Sequence, residues 1–279
     1  MSEIRIDALL PAEMATRAEY VGVRKAEAPA LTMFTLAIMA GAFIALGAVF
    51  ATNTAAGAGA LPFGVAKLLT GLVFCLGLIL VVVGGAELFT GNNLIVMAWA
   101  SGKVTGKALL RNWVIVYIGN FIGSFGTALL VFWSKQYTFG TGAVGETALK
   151  IALGKTGLDF FQALALGILC NLLVCLAVWL TFSARSTIDK IASIIFPITA
   201  FVAAGFEHSI ANMYFVPYGL LIKVFDPAFV AERGLDLAQL TWSNFLINNL
   251  LPVTIGNIIG GAVLVATIYW SVFLRSRKA

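Results

Sequence analysis

From Leu68 to Ala100 the chain runs for 33 residues with Glu87 as its one formal charge. Built as a single straight helix, this segment would measure about 50 Å against a hydrocarbon core of about 30 Å. It must tilt steeply or break. Residues 84 to 93, GGAELFTGNN, gather glycines, a carboxylate, Thr90 and two asparagines, residues poorly suited to a lipid-facing helix interior. A second long stretch, from Ile191 to Val224, is largely apolar yet holds Pro197, Gly205, Glu207, His208, Asn212 and Pro217. Broken helices in a membrane belong around a cavity, because their freed backbone groups need water or protein partners.

Apolar runs recur over six regions, near residues 30–50, 64–100, 108–134, 159–182, 187–222 and 243–274. Hydrophobic residues make up 60% of the chain and charged ones 11%, well above the roughly 45–50% apolar content of soluble domains. The expected fold is an all-α integral membrane protein with six transmembrane helices, the second and fifth broken. With both termini in the cytoplasm, 12 of the 18 basic residues fall on that side, as the positive-inside rule asks. The N-terminal residues carry charge and no apolar core with a cleavage site, so they do not read as a secretory signal. The expected organisation is a cytoplasmic segment over 1–28, a six-helix membrane domain over 29–274 and a basic tail over 275–279.

Several classes of function are disfavoured. The basic residues follow topology and form no aromatic-interleaved patch for nucleic acid. Cys75, Cys170 and Cys175 fall inside expected spans, where a thiol behaves as a small hydrophobe. Neither a metal-ligand cluster nor a nucleophile with its base is legible, so an enzyme, a metal and a cofactor are all unexpected.

The two breaks resemble each other. Gly85-Ala86-Glu87 with Asn92 matches Gly205-Phe206-Glu207 with Asn212, an offset of 120 residues. The third and sixth regions also align, GNFIGSFGTALLVFW (119–133) on GNIIGGAVLVATIYW (256–270), with Asn112 falling on Asn249 at an offset of 137. Two halves of three spans each insert in opposite senses. Such inverted repeats mark transporters and channels, and interrupted segments at matching places mark the substrate path.

His208 is the single histidine of the chain. An ionisable group at that depth is expensive and is read as functional. Glu87 and Glu207 are read as carboxylates that accept backbone N–H bonds and hold the breaks together. No lysine or arginine sits deep in a span, but half-helix N-termini attract small anions. Lys155, in the loop before the fourth span, would draw anions to the mouth. Phe74, Leu78, Leu88, Phe89 and Phe201 lie near the breaks and would form apolar constrictions. A narrow apolar pore with one histidine suits a weak acid. Passing a proton from imidazolium to a carboxylate costs about 2.6 pK units, or roughly 3.5 kcal/mol. Burying a small anion costs at least several kcal/mol, up to about 20, so neutralising it is cheaper. Thr90 is expected to orient the imidazole, and Asn171 to bind the carboxylate or Glu207.

ELFTGN (87–92), GFEHSIANM (205–213), NLLVCLAVW (171–179) and NNLLPVTIGNIIGG (248–261) resemble the formate/nitrite transporter family, and DALLPAEMA and RNWVIVYIGN resemble its formate-channel branch. The likeness extends over nearly the whole chain. It implies an aquaporin-like protomer, assembled as a homopentamer in the lipid bilayer of a bacterial cytoplasmic membrane, that passes formate. Nitrite or another small monovalent anion is the alternative. Carried over, the family's central histidine falls on His208, its hydroxyl partner on Thr90, and its outer lysine on Lys155. The polar residues near the pore fall on Glu207, Asn171, Asn212 and Asn257, and the constrictions on the five apolar residues named above. Residues 1–28 resemble the family's pH-responsive N-terminal segment. A neutral-solute channel would carry paired Asn-Pro-Ala motifs, which this sequence lacks.

Overall fold

The computed structural model describes residues 8–275. The first seven residues of the expected N-terminal segment and residues 276–279 of the basic tail lie outside the described residues. Among the described residues all regular structure is helical. In chain order the helices are α1 (Pro11–Glu27), α2 (Ala30–Ala55), α3 (Phe63–Gly84), α4 (Val96–Ala100), α5 (Gly106–Trp133), α6 (Ala143–Thr156), α7 (Phe160–Thr181), α8 (Thr187–Ala203), α9 (Ser209–Phe225), α10 (Pro227–Arg233) and α11 (Asn244–Phe273).

Five of these, α2, α3, α5, α7 and α11, are individually long and apolar enough to cross a membrane. The remaining crossing is assembled from α8 and α9, of 17 residues each, about 25 Å apiece. Pro197 and Pro217 do not mark the break; both sit inside these helices. The chain turns by 101° between α9 and α10. Outward faces are greasy, with Phe196 81% exposed and Leu31 and Phe161 77%. Apolar surface on that scale fits lipid, and the chain is a multi-pass membrane protein.

Both expected breaks are present, and both are made by the same device. α3 ends at Gly84 and Gly85 follows at φ 79°; α8 ends at Ala203 and Gly205 follows at φ 74°. A left-handed residue past a helix end is the usual glycine stop. The two arms beyond the breaks are unequal. After the first, Gly91–Ile95 forms a tight 3₁₀ turn leading into the five-residue α4; after the second, α9 runs for 17 residues. The 22-residue α3 is also long enough to span alone, so the first break does not halve its region.

α2 packs chiefly on α5 and α3, and α7 on α11 and α8. The α2–α5 and α7–α11 crossings are made by matched glycines. A Cβ added at Gly123 would fall on the Ile38 carbonyl, and one at Gly260 on the Ile168 carbonyl, so the backbones touch where larger residues would hold them apart. Gly123→Ala is therefore expected to destabilise the folded protein in detergent by about 1–3 kcal/mol, the usual cost of overpacking. Gly126→Ala, on the same helix with nothing within 4 Å of the added carbon, is expected to leave thermal unfolding unchanged. Equal unfolding curves for the two variants would contradict the close crossing.

Candidate functional site

Each break is laced by one asparagine. Asn120 on α5 donates to the carbonyls of Ala37 (2.8 Å) and Glu87 (2.9 Å) and accepts the Phe89 N–H (2.9 Å). Asn257 on α11 donates to the carbonyls of Gly167 (2.8 Å) and Glu207 (3.0 Å) and accepts the Ser209 N–H (2.9 Å). The N–H groups of Glu87 and Glu207 reach the Leu36 and Leu166 carbonyls at 3.2 and 3.3 Å. Irregular backbone is tolerated at this depth because these partners satisfy it.

The carboxylates do not cap backbone, contrary to the expectation for Glu87 and Glu207. Each closes a side-chain cluster. Glu87 accepts from Asn92 (2.6 Å) and from the Lys25 ammonium (3.2 Å), which also donates to Asn92 Oδ1 (2.8 Å), while Asn92 donates to Asn112 (2.9 Å). Glu207 accepts from Asn212 (2.6 Å), Asn249 (3.1 Å) and Lys155 (2.8 Å), and Asn212 donates to Asn249 (2.7 Å). Lys155 is thus no solvated loop residue. It lies in the last turn of α6, with its ammonium above the Phe215 ring at 5.4 Å. Burial of carboxylate and ammonium is tolerated because each is paired and hydrogen-bonded.

Between the clusters lies His208, 3% exposed. It is the N-cap residue of α9, and its Nδ1 accepts the Ala211 N–H at 3.1 Å. An accepting Nδ1 places the proton of the neutral ring on Nε2. Nε2 stands 3.0 Å from Thr90 Oγ1 in the other break, so the ring N–H donates to the threonine hydroxyl. A doubly protonated ring would lose the helix cap, which sets a cost on storing charge there. The ring lies 5.9 Å from that of Phe201, and Phe201 meets Phe74 edge to face at 5.7 Å.

Two cavities lie near this point, one lined by Leu88 and Gly91 beside Thr90 and the other by His208. One, of about 240 Å³, is bounded by α1 and the first break, with Arg17, Lys25, Leu78, Glu87, Leu88 and Asn92 in its wall. The other, of about 940 Å³, is walled by Phe74, Lys155, Phe201, Glu207, His208 and Asn212. Glu146 also lines it, and the hydrogen bond from the Lys150 ammonium holds its carboxyl below the ordinary carboxylate range. Of the expected constrictions, Leu78 and Leu88 face the first cavity and Phe74 and Phe201 the second. Phe89 faces neither. Its ring packs on Tyr117 and Trp113 of α5, at 4.9 and 6.0 Å, because its backbone is tied to Asn120 on that helix. Of the two partners expected for Asn171, Glu207 is not met. Instead, the Asn171 amide donates to the carbonyls of Thr90 (3.2 Å) and Asn257 (2.7 Å).

The sequence model described as formate/nitrite transporter matches residues 12–271. The chain belongs to the formate/nitrite transporter family. It is 48% identical to the formate channel FocA of Escherichia coli K12 over 273 residues, 96% of each chain, and 42% identical to FocA of Haemophilus influenzae over 92% of each. Among solved structures it resembles a pentameric formate channel with formate bound, at TM-score 0.83 and 49% identity, covering 88% of this chain and 98% of that one. An FNT family ion channel superposes at TM-score 0.80 with 27% identity, covering 93% and 98%.

For this member of the formate/nitrite transporter family, the three-span repeat falls short of the full symmetry. Lys25 on α1 matches Lys155 on α6 at an offset of 130 residues, and Leu36 matches Leu166 at the same offset. Each half therefore includes a flanking helix, α1 or α6, whose lysine reaches the break of its own half. Sequence reasoning missed Lys25 because α1 was taken as a segment outside the membrane domain. The available signal was the lysine five residues before the first residue of α2 and of α7 alike.

Proposed function

We propose that this chain is a formate channel, assembled as a homopentamer in a bacterial cytoplasmic membrane with both termini inside, each protomer carrying its own path. The observation that carries this reading is the 3.0 Å contact between His208 Nε2 and Thr90 Oγ1, set near two vestibules and beside apolar rings. It provides one polar step in a greasy waist. The neutral acid is the cheaper passenger there: protonating a carboxylate of pKa about 3.9 at neutral pH costs about 4 kcal/mol, while burying the bare anion costs several to about 20. Lys25 and Lys155 are each paired with a carboxylate, Glu87 and Glu207, so neither places an uncompensated cation beside the waist. His208, Thr90, Glu207, Asn212 and Lys155 line or shape the path, while Asn171 and Asn257 hold its backbone. Residues 1–28 form the cytoplasmic segment, whose α1 walls one vestibule, ahead of the membrane domain at 29–274 and the tail at 275–279. The near relatives are channels by name, which supports transport without turnover.

The substrate test is flux of formate and nitrite measured side by side in vesicles containing the purified protein. Formate is expected to enter well above the rate of protein-free vesicles and faster than nitrite. Nitrite entering much faster than formate would overturn the assignment.

A further inference from the structure

Thr90 is held against His208 by its own carbonyl. Asn171 Nδ2 and the Cys175 thiol donate to that oxygen at 3.2 and 3.3 Å, and Asn171 is itself anchored on the Asn257 carbonyl at 2.7 Å. Beside this junction, on α11, stands Gly261. Its backbone is helical, so no left-handed conformation calls for glycine. Space does. An added Cβ would fall on Asn171 Nδ2, 2.8 Å from Cys175 Sγ and 2.9 Å from Asn93 Cβ, and real Cβ atoms essentially never approach so closely. We propose that Asn171 and Gly261 are paired positioning residues that set Thr90 against His208, the glycine keeping open the space through which the asparagine reaches the Thr90 carbonyl.

The other half of the molecule serves as an internal comparison. By the offsets given above, the Thr90 carbonyl corresponds to that of Ile210, Asn171 to Gly41, and Gly261 to Ser124. Ser124 Oγ lies 3.1 Å from the Gly41 carbonyl and 3.4 Å from the Ile210 carbonyl. Each break thus has a carbonyl within reach of a polar side chain from the opposite half, although Ser124 stands nearer the Gly41 carbonyl of its own half, and an added Cβ at Gly41 would fall on the Asn120 carbonyl. The two halves place the polar group and the glycine on opposite helices. Thr90, the break residue that touches the imidazole, receives the longer donor, an amide that is itself anchored at a second carbonyl.

The test is a double-mutant cycle on formate flux in vesicles, with oligomer size checked by gel filtration. Gly261→Ala is expected to lower flux by about tenfold in the wild-type background but by less than about twofold in a Thr90→Ala background, because a residue that acts through Thr90 has nothing left to position. An equal fold loss in both backgrounds would show plain packing and overturn the proposal. Should Gly261→Ala fail to reach the wild-type oligomer size, Asn171→Ala, which adds no atom to the joint, carries the same cycle with the same expectations. The proposal rests on the formate-channel reading for its assay alone. Wild-type vesicles that admit nitrite and no formate would refute that reading, and the cycle would then be read with nitrite.

Discussion

Replacing His208 by alanine is expected to lower formate flux by between about tenfold and a hundredfold at every pH tested, while the protein keeps its wild-type oligomer size. The ring N–H on Nε2 is the donor that the waist supplies together with Thr90 Oγ1. A polar oxygen of the passing acid left without a partner there costs about 1–3 kcal/mol, and about 1.4 kcal/mol is a factor of ten in rate. The fold should survive, since the ring's other hydrogen bond is a single cap to Ala211 at the start of α9, a loss of about 1 kcal/mol. Flux retained within about twofold would remove the histidine from the path.

The second large effect concerns Asn257. Truncation to alanine leaves the carbonyls of Gly167 and Glu207 and the N–H of Ser209 without the partner each has now. The Gly167 carbonyl keeps its helical partner within α7, but the Glu207 carbonyl and the Ser209 N–H, buried and unsatisfied, each cost about 1–3 kcal/mol, a large share of the 5–15 kcal/mol by which proteins are stable. Little assembled protein should be recovered. Because Asn120 makes the same three bonds to the first break, Asn120→Ala should fail to a similar degree. Recovery of either variant with wild-type thermal unfolding would show that the breaks are held by something other than these amides.

Much of this was legible in the residues themselves. A 33-residue apolar run cannot cross a bilayer straight, and glycines followed by a carboxylate and asparagines told where it yields. The 120- and 137-residue offsets matched Asn92 with Asn212 and Asn112 with Asn249, and the folded chain makes the equivalent pair in each half, Asn92 with Asn112 and Asn212 with Asn249. The meeting of Thr90 with His208 was likewise anticipated. What was not legible depended on direction across helices. Phe89 turns away because its own N–H is claimed by Asn120, and Asn171 reaches backbone in place of Glu207 because Gly261 leaves it room; spacing along one helix carries neither fact. Lys25 escaped because α1 is amphipathic and charged, unlike the spans, although it repeats α6 in role.

The account turns on the claim that the two breaks act together through one contact, with the acid handled where Thr90 meets His208. The most direct measurement is formate flux through Thr90→Ala, His208→Ala and the variant carrying both changes, at matched protein content. If the contact works as a unit, the combined variant should be no slower than His208→Ala alone, to within about twofold, since the second loss removes nothing still in use. Losses that multiply, as they do for groups acting independently, would contradict it.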